Sequence, residues 1–69
     1  MKLSARNVLP ATVKGITPGA VDTEVTVELA PGIEIVSIIT KQSAEKLKLK
    51  PGVKAYAIVK ASNVMIGVD

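Results

Sequence analysis

The chain has 69 residues, nine Lys and Arg against six Asp and Glu, a net charge of +3 and a pI of about 9.5, with no Cys and no His. Those absences exclude disulfide staples, nearly exclude a structural zinc, and leave general acid–base work to carboxylates and lysine. Hydrophobic residues make up 48% and mean hydropathy is +0.39, whereas a single domain this small hides only about 60% of its unfolded surface, so a homo-oligomer is expected.

Three Pro-Gly pairs, Pro18-Gly19, Pro31-Gly32 and Pro51-Gly52, divide the chain. Each reads as a type II turn, with proline presetting the first central residue and glycine accepting positive φ at the second. The first strand-like run is Val8 to Ile16, with Pro10 near its beginning, where a missing donor does little harm. Ala20 to Leu29 is the clearest strand: Val21, Thr23, Val25, Val27 and Leu29 alternate with Asp22, Glu24, Thr26 and Glu28. Ile33 to Thr40 begins by alternating and ends apolar on both faces at Ile38 and Ile39. The period of two fails over Lys41 to Leu49, where Ala44, Leu47 and Leu49 fit one short helix with Thr40 as N-cap. Val53 to Lys60 is again apolar on both faces, with Ala55, Ala57 and Val59 on one and Tyr56 and Ile58 on the other. A strand covered on both faces in so small a domain predicts a neighbouring chain. Val64 to Val68 is the fifth run. The expected fold is therefore all-β with one short helix: a five-stranded OB-type small barrel, residues 1–69 forming one oligomerising domain.

Two segments carry the chemistry. Ser4-Ala5-Arg6-Asn7 and Lys60-Ala61-Ser62 each join a small hydroxyl residue to a fixed cation at the edge of a strand-like run, with no Asp or Glu. Donors and positive charge without acceptors suit a small tetrahedral oxyanion, which offers only acceptor oxygens and negative charge. Each residue also has a plainer reading. Ser4 and Asn7 can start a strand through turn-type hydrogen bonds, Lys60 can guard a sheet edge, and Ser62-Asn63 can be an ordinary turn. The lysines at 41, 46, 48, 50 and 54 read more simply as a solvated face than as a binding patch.

Ser4-Ala5-Arg6-Asn7, Ala20-Val21-Asp22-Thr23-Glu24-Val25, Ser37-Ile38-Ile39-Thr40 and Lys60-Ala61-Ser62-Asn63-Val64-Met65-Ile66 together resemble the molbindin family of small intracellular molybdate-binding proteins. The resemblance implies an OB-type fold that binds molybdate, or tungstate, between subunits. Carried over, one subunit supplies Ser4, Ala5, Arg6, Lys60, Ala61 and Ser62, and its partner supplies the hydroxyls of Thr40 and Ser43. A hexamer built as a trimer of dimers is also implied, with further oxyanion sites at the Gly19-Ala20-Val21 backbone near the threefold axis. The stretch has neither a tandem second module nor an ATPase or helix-turn-helix region, so storage or buffering is expected rather than transport. A stand-alone regulatory subunit that reports molybdate to a partner is the alternative.

Other classes fit less well. An OB-type nucleic-acid binder stacks bases on aromatic rings, and Tyr56 is the only aromatic residue. An enzyme needs convergent acid–base groups, and no pair of carboxylates is recognisably placed for that. No apolar run approaches the ~18 residues of a membrane span. Lys2, Arg6 and Asn7 precede no apolar core of a secretory signal, so the expected location is cytoplasmic.

Overall fold

A computed structural model describes residues 1–69. Strand β1 spans Asn7–Pro18, β2 Asp22–Ala30 and β3 Ile33–Thr40; helix α1 covers Lys41–Lys46, β4 Lys54–Val59, and a 3₁₀ turn Ala61–Asn63. The chain is thus mostly β with one short α-helix. The strands form one antiparallel sheet in the order β3-β2-β1-β4. Four strands form, not the expected five: residues 64–68 carry no strand. A strand exists only by pairing its backbone with a neighbour. This segment leaves the sheet at the 3₁₀ turn and lies exposed, Met65, Ile66 and Val68 almost fully so.

The alternation along β2 places Thr23, Val25 and Val27 in the interior and leaves Asp22 and Glu24 exposed. Opposite them, β1 contributes Ala11 and Val13, and these four apolar side chains, Ala11, Val13, Val25 and Val27, make the core. Beyond Val13 the inward phase would fall on Gly15, yet Ile16 packs against the core instead. The cause is a β-bulge: Val13 pairs with Val27 and Gly15 with Thr26, so Lys14 is the extra residue and the phase shifts by one. The freed Lys14 pairs with Glu28 at 3.8 Å.

Two of the Pro-Gly pairs behave as expected, with Gly32 at φ +80° and Gly52 at +95°. Pro18-Gly19 does not, because Gly19 has no positive φ. Its N–H donates to the Asp22 carbonyl at 2.7 Å, and a Cβ at position 19 would lie 2.7 Å from that same oxygen. Glycine is needed there for close approach rather than for a left-handed turn.

Helix α1 is shorter than the expected 41–49. Thr40 caps it, its Oγ1 accepting from the Ser43 N–H at 3.0 Å. At the other end Lys48 takes φ +55°, the Lys48 N–H bonds the Glu45 carbonyl, and the Leu49 N–H bonds the Ala44 carbonyl. That pair of bonds is a Schellman stop, made here without glycine. Ala44 is the helix residue buried beneath. The returning chain is pinned to mid-β1 by Gly52 N–H to the Val13 carbonyl and Val13 N–H to the Val53 carbonyl.

The sheet does not close, since its edge strands β3 and β4 are not paired. Between them lies an apolar groove of about 610 Å³, lined in part by Val25, Ile35, Ile39, Leu49 and Ala57. Val36, Ile38 and Tyr56 are exposed, and only 6 of 69 residues are buried. The folded chain therefore leaves uncovered the apolar surface that its composition promised.

Candidate oxyanion site

Antiparallel pairing brings the start of β1 beside the end of β4, with Asn7 opposite Val59 and Val8 opposite Ile58. Beyond that last rung both chains leave the ladder, one as Ser4-Ala5-Arg6 and the other as Lys60-Ala61-Ser62. Segments from opposite ends of the sequence thus become neighbours at one corner of the sheet. They surround a shallow cavity of about 600 Å³, lined by Ser4, Ala5, Arg6, Ile58, Lys60, Ala61 and Ser62.

No carboxylate lines this cavity. Lys14–Glu28 is the sole ion pair, so the charges of Arg6 and Lys60 are not neutralised by any acidic side chain. The hydroxyls of Ser4 and Ser62 add donors, and Ala5 and Ala61 offer backbone N–H groups beside small methyls. Because Ala61 opens the 3₁₀ turn, the first N–H groups of that turn have no partner within it. No cluster of three or more His, Cys, Asp or Glu forms anywhere in the chain. The arrangement is built to attract a small anion and to donate to its oxygens.

Ile58 was not picked out by sequence reading. Its signal was present in the alternation, since Ile58 is an exposed residue of β4 only two positions before Lys60. An isoleucine in a strand reads first as core, and that hid it.

Thr40 and Ser43 do not line this cavity. They sit where β3 passes into α1, Thr40 ending the strand and Ser43 in the helix, at the opposite edge of the sheet from β4. There they form a pair of their own. Thr40 Oγ1 donates to Ser43 Oγ at 2.8 Å while accepting from the Ser43 N–H. With the Thr40 proton so placed, the Ser43 hydroxyl keeps its own proton for another acceptor.

Gly19, Ala20 and Val21 form the exposed turn between β1 and β2. The Gly19 N–H is committed to Asp22, and the Val21 carbonyl accepts from the Lys41 N–H at 2.9 Å. The N–H groups of Ala20 and Val21 donate to no backbone carbonyl.

Residues 3–66 match the TOBE domain. The chain belongs to the TOBE domain family. It is 46% identical to molybdenum-pterin-binding protein 2 of Clostridium pasteurianum, over 96% of this chain and 97% of that protein. It is 47% identical to the molybdenum transport protein ModE of Azotobacter vinelandii, but spans only 24% of that protein. Among solved structures, the cytoplasmic molybdate-binding protein ModG, with molybdate bound, superposes with a TM-score of 0.93 at 54% identity, covering 100% of this chain and 49% of that one. The molbindin resemblance thus holds along nearly the whole TOBE chain.

Proposed function

We propose that this TOBE chain binds molybdate, and tungstate alongside it, at the corner cavity between β1 and β4. The observation that carries the reading is the cavity's lining: four side-chain donors, two of them unpaired cations, and no carboxylate. Molybdate is a fully deprotonated tetrahedral dianion at neutral pH, so it can accept from every one of them. Each charge-assisted bond contributes on the order of 1.5–3 kcal/mol. The relatives named for molybdenum-pterin and the molybdate-bound structure support the same element. A bare oxyanion suits the lining better than a pterin, whose amino and ring N–H groups call for carboxylate or amide oxygens that the lining side chains lack.

The reading extends to assembly. Residues 1–69 act as one OB-type domain whose open groove and exposed apolar faces are covered by further copies, in a hexamer arranged as a trimer of dimers. The site then lies between subunits, with Ser43, set by Thr40, reaching in from the partner. Further oxyanion sites at the turn 19–21 use the free N–H groups of Ala20 and Val21 rather than Gly19. The role is cytoplasmic storage or buffering, without catalysis, and no helix is long and apolar enough to cross a membrane. A second reading is a regulatory module that reports molybdate to a partner, in keeping with the match to one part of a longer protein. Pull-downs with and without molybdate separate the two. A nucleic-acid role has only the exposed Tyr56 for stacking.

Native mass spectrometry with and without molybdate tests the proposal. A hexamer that gains molybdate in discrete steps is the expected result. A folded monomer that takes up no molybdate would sink it.

A further inference from the structure

Resting on the oxyanion reading of the same cavity, we propose that Ile58 is the residue that sets its selectivity, as an apolar wall favouring large, weakly hydrated oxyanions over sulfate. Ile58 is the last exposed residue of β4, Lys60 follows two residues later in extended backbone just beyond the strand, and both line the cavity. The cross-strand partner of Ile58 is Val8, and 48% of Ile58 remains exposed. The other apolar lining residues, Ala5 and Ala61, carry single methyl groups. Ile58 is thus the one large hydrocarbon surface among the donors, and Tyr56, the preceding exposed residue of β4, does not line the cavity.

An anion that settles against this wall loses water on one side and receives no hydrogen bond there in exchange. Desolvation without a replacement partner is costly, and more so the more tightly the ion holds its water. Sulfate is strongly hydrated and is excluded from protein surface. Molybdate and tungstate spread the same two charges over a larger anion and lose less. Donor spacing can favour the larger anion by reach; the wall adds a separate discrimination, by hydration.

The test compares Ile58→Val with Ile58→Thr, which share a shape and differ by one hydroxyl. Both are good strand residues, and Ile58→Gln is a second polar variant should the threonine form assemble poorly. Calorimetry gives molybdate and sulfate affinities for each, with the oligomeric state checked by native mass spectrometry. Ile58→Val should keep the wild-type ratio of molybdate to sulfate affinity. Ile58→Thr should lower that ratio by about tenfold, chiefly through tighter sulfate binding, the scale on which a pocket senses one small group. If Ile58 only packs against Val8, both affinities fall together and the ratio stays fixed, which overturns the inference while leaving the molybdate site intact. Failure of the wild-type chain to bind molybdate would overturn both.

Discussion

Thr40 and Ser43 share one hydrogen-bonded pair, yet replacing them by alanine should have separable effects. Thr40 Oγ1 accepts the Ser43 N–H at 3.0 Å and so satisfies one of the orphan donors of a helix only six residues long. Removing a cap of this kind costs about 1 kcal/mol. The hydroxyl–hydroxyl bond at 2.8 Å is exposed and adds little to stability. Thr40→Ala should therefore lose about 1 kcal/mol, which lowers the melting temperature of so small a domain by roughly 4–8 °C. Ser43→Ala keeps the N–H that the cap uses, so its melting temperature should stay within about a degree of wild type. Its cost falls on binding instead, since the Ser43 proton is the one left free. The loss of one bond to a charged ligand should weaken molybdate affinity by roughly 10- to 200-fold. Thermal melts by circular dichroism, at one protein concentration because assembly shifts the midpoint, measure the first effect and calorimetry the second. If Ser43→Ala melts early and Thr40→Ala does not, the capping role assigned to Thr40 is wrong.

Lys60→Ala should weaken molybdate binding by roughly 10- to 200-fold, the value of one charge-assisted bond, with an unchanged melting temperature because the residue lies beyond the last rung of β4. Calorimetry on the still-assembled variant checks it, and unchanged affinity would count against the site. Phosphate, which keeps a proton at neutral pH, should bind at least about tenfold more weakly than molybdate, because no carboxylate lines the cavity to accept its O–H, and a serine hydroxyl that turns to accept it no longer donates to the anion. Displacement of molybdate by equal phosphate in competition calorimetry would end the donor-only account. Lys48→Gly should stabilise the fold by about 0.5–1 kcal/mol, since lysine at φ +55° carries a left-handed penalty that outweighs the extra chain entropy of glycine. A urea midpoint that falls would mean that this stop is not held in solution.

The alternation of β2 was legible because its polar and apolar residues separate cleanly, and Thr23, Val25 and Val27 do lie inside. The phase shift in β1 was not, although Gly15 inside an apolar run was its trace. Lys48 could not announce a helix stop, because lysine has no preference for positive φ. The run from Val64 to Val68 has strand composition, and composition alone says nothing of whether a neighbour exists to pair with it. At the corner cavity, Ser4, Arg6, Lys60 and Ser62 were conspicuous because each segment sets a hydroxyl close to a cation with no Asp or Glu between them. Their meeting was foreseeable only through the resemblance, since strand pairing is what joins the two segments.

The donors sit where the sheet's own hydrogen bonds no longer hold the chain, beyond Asn7 and Val59. Beyond the ladder only the 3₁₀ turn, through Asn63 N–H to the Lys60 carbonyl, holds the β4 side, and a cavity of about 600 Å³ is far larger than a four-oxygen anion. The same chain leaves a second deficit, the apolar groove between β3 and β4. Under the proposed assembly, one event meets both needs. A neighbouring copy covers apolar surface and brings Ser43 to the open side of the cavity. Binding and association are then linked. A ligand that binds only the assembled form stabilises that form by about 2.7 kcal/mol at a hundred times its dissociation constant. Molybdate should for that reason raise the melting temperature of the assembled protein, and do so less once Ser43 is replaced by alanine. In the proposed assembly the ligand is held tightly only while the copies are together, so the association that would cover the exposed apolar surface would also govern how strongly the site binds.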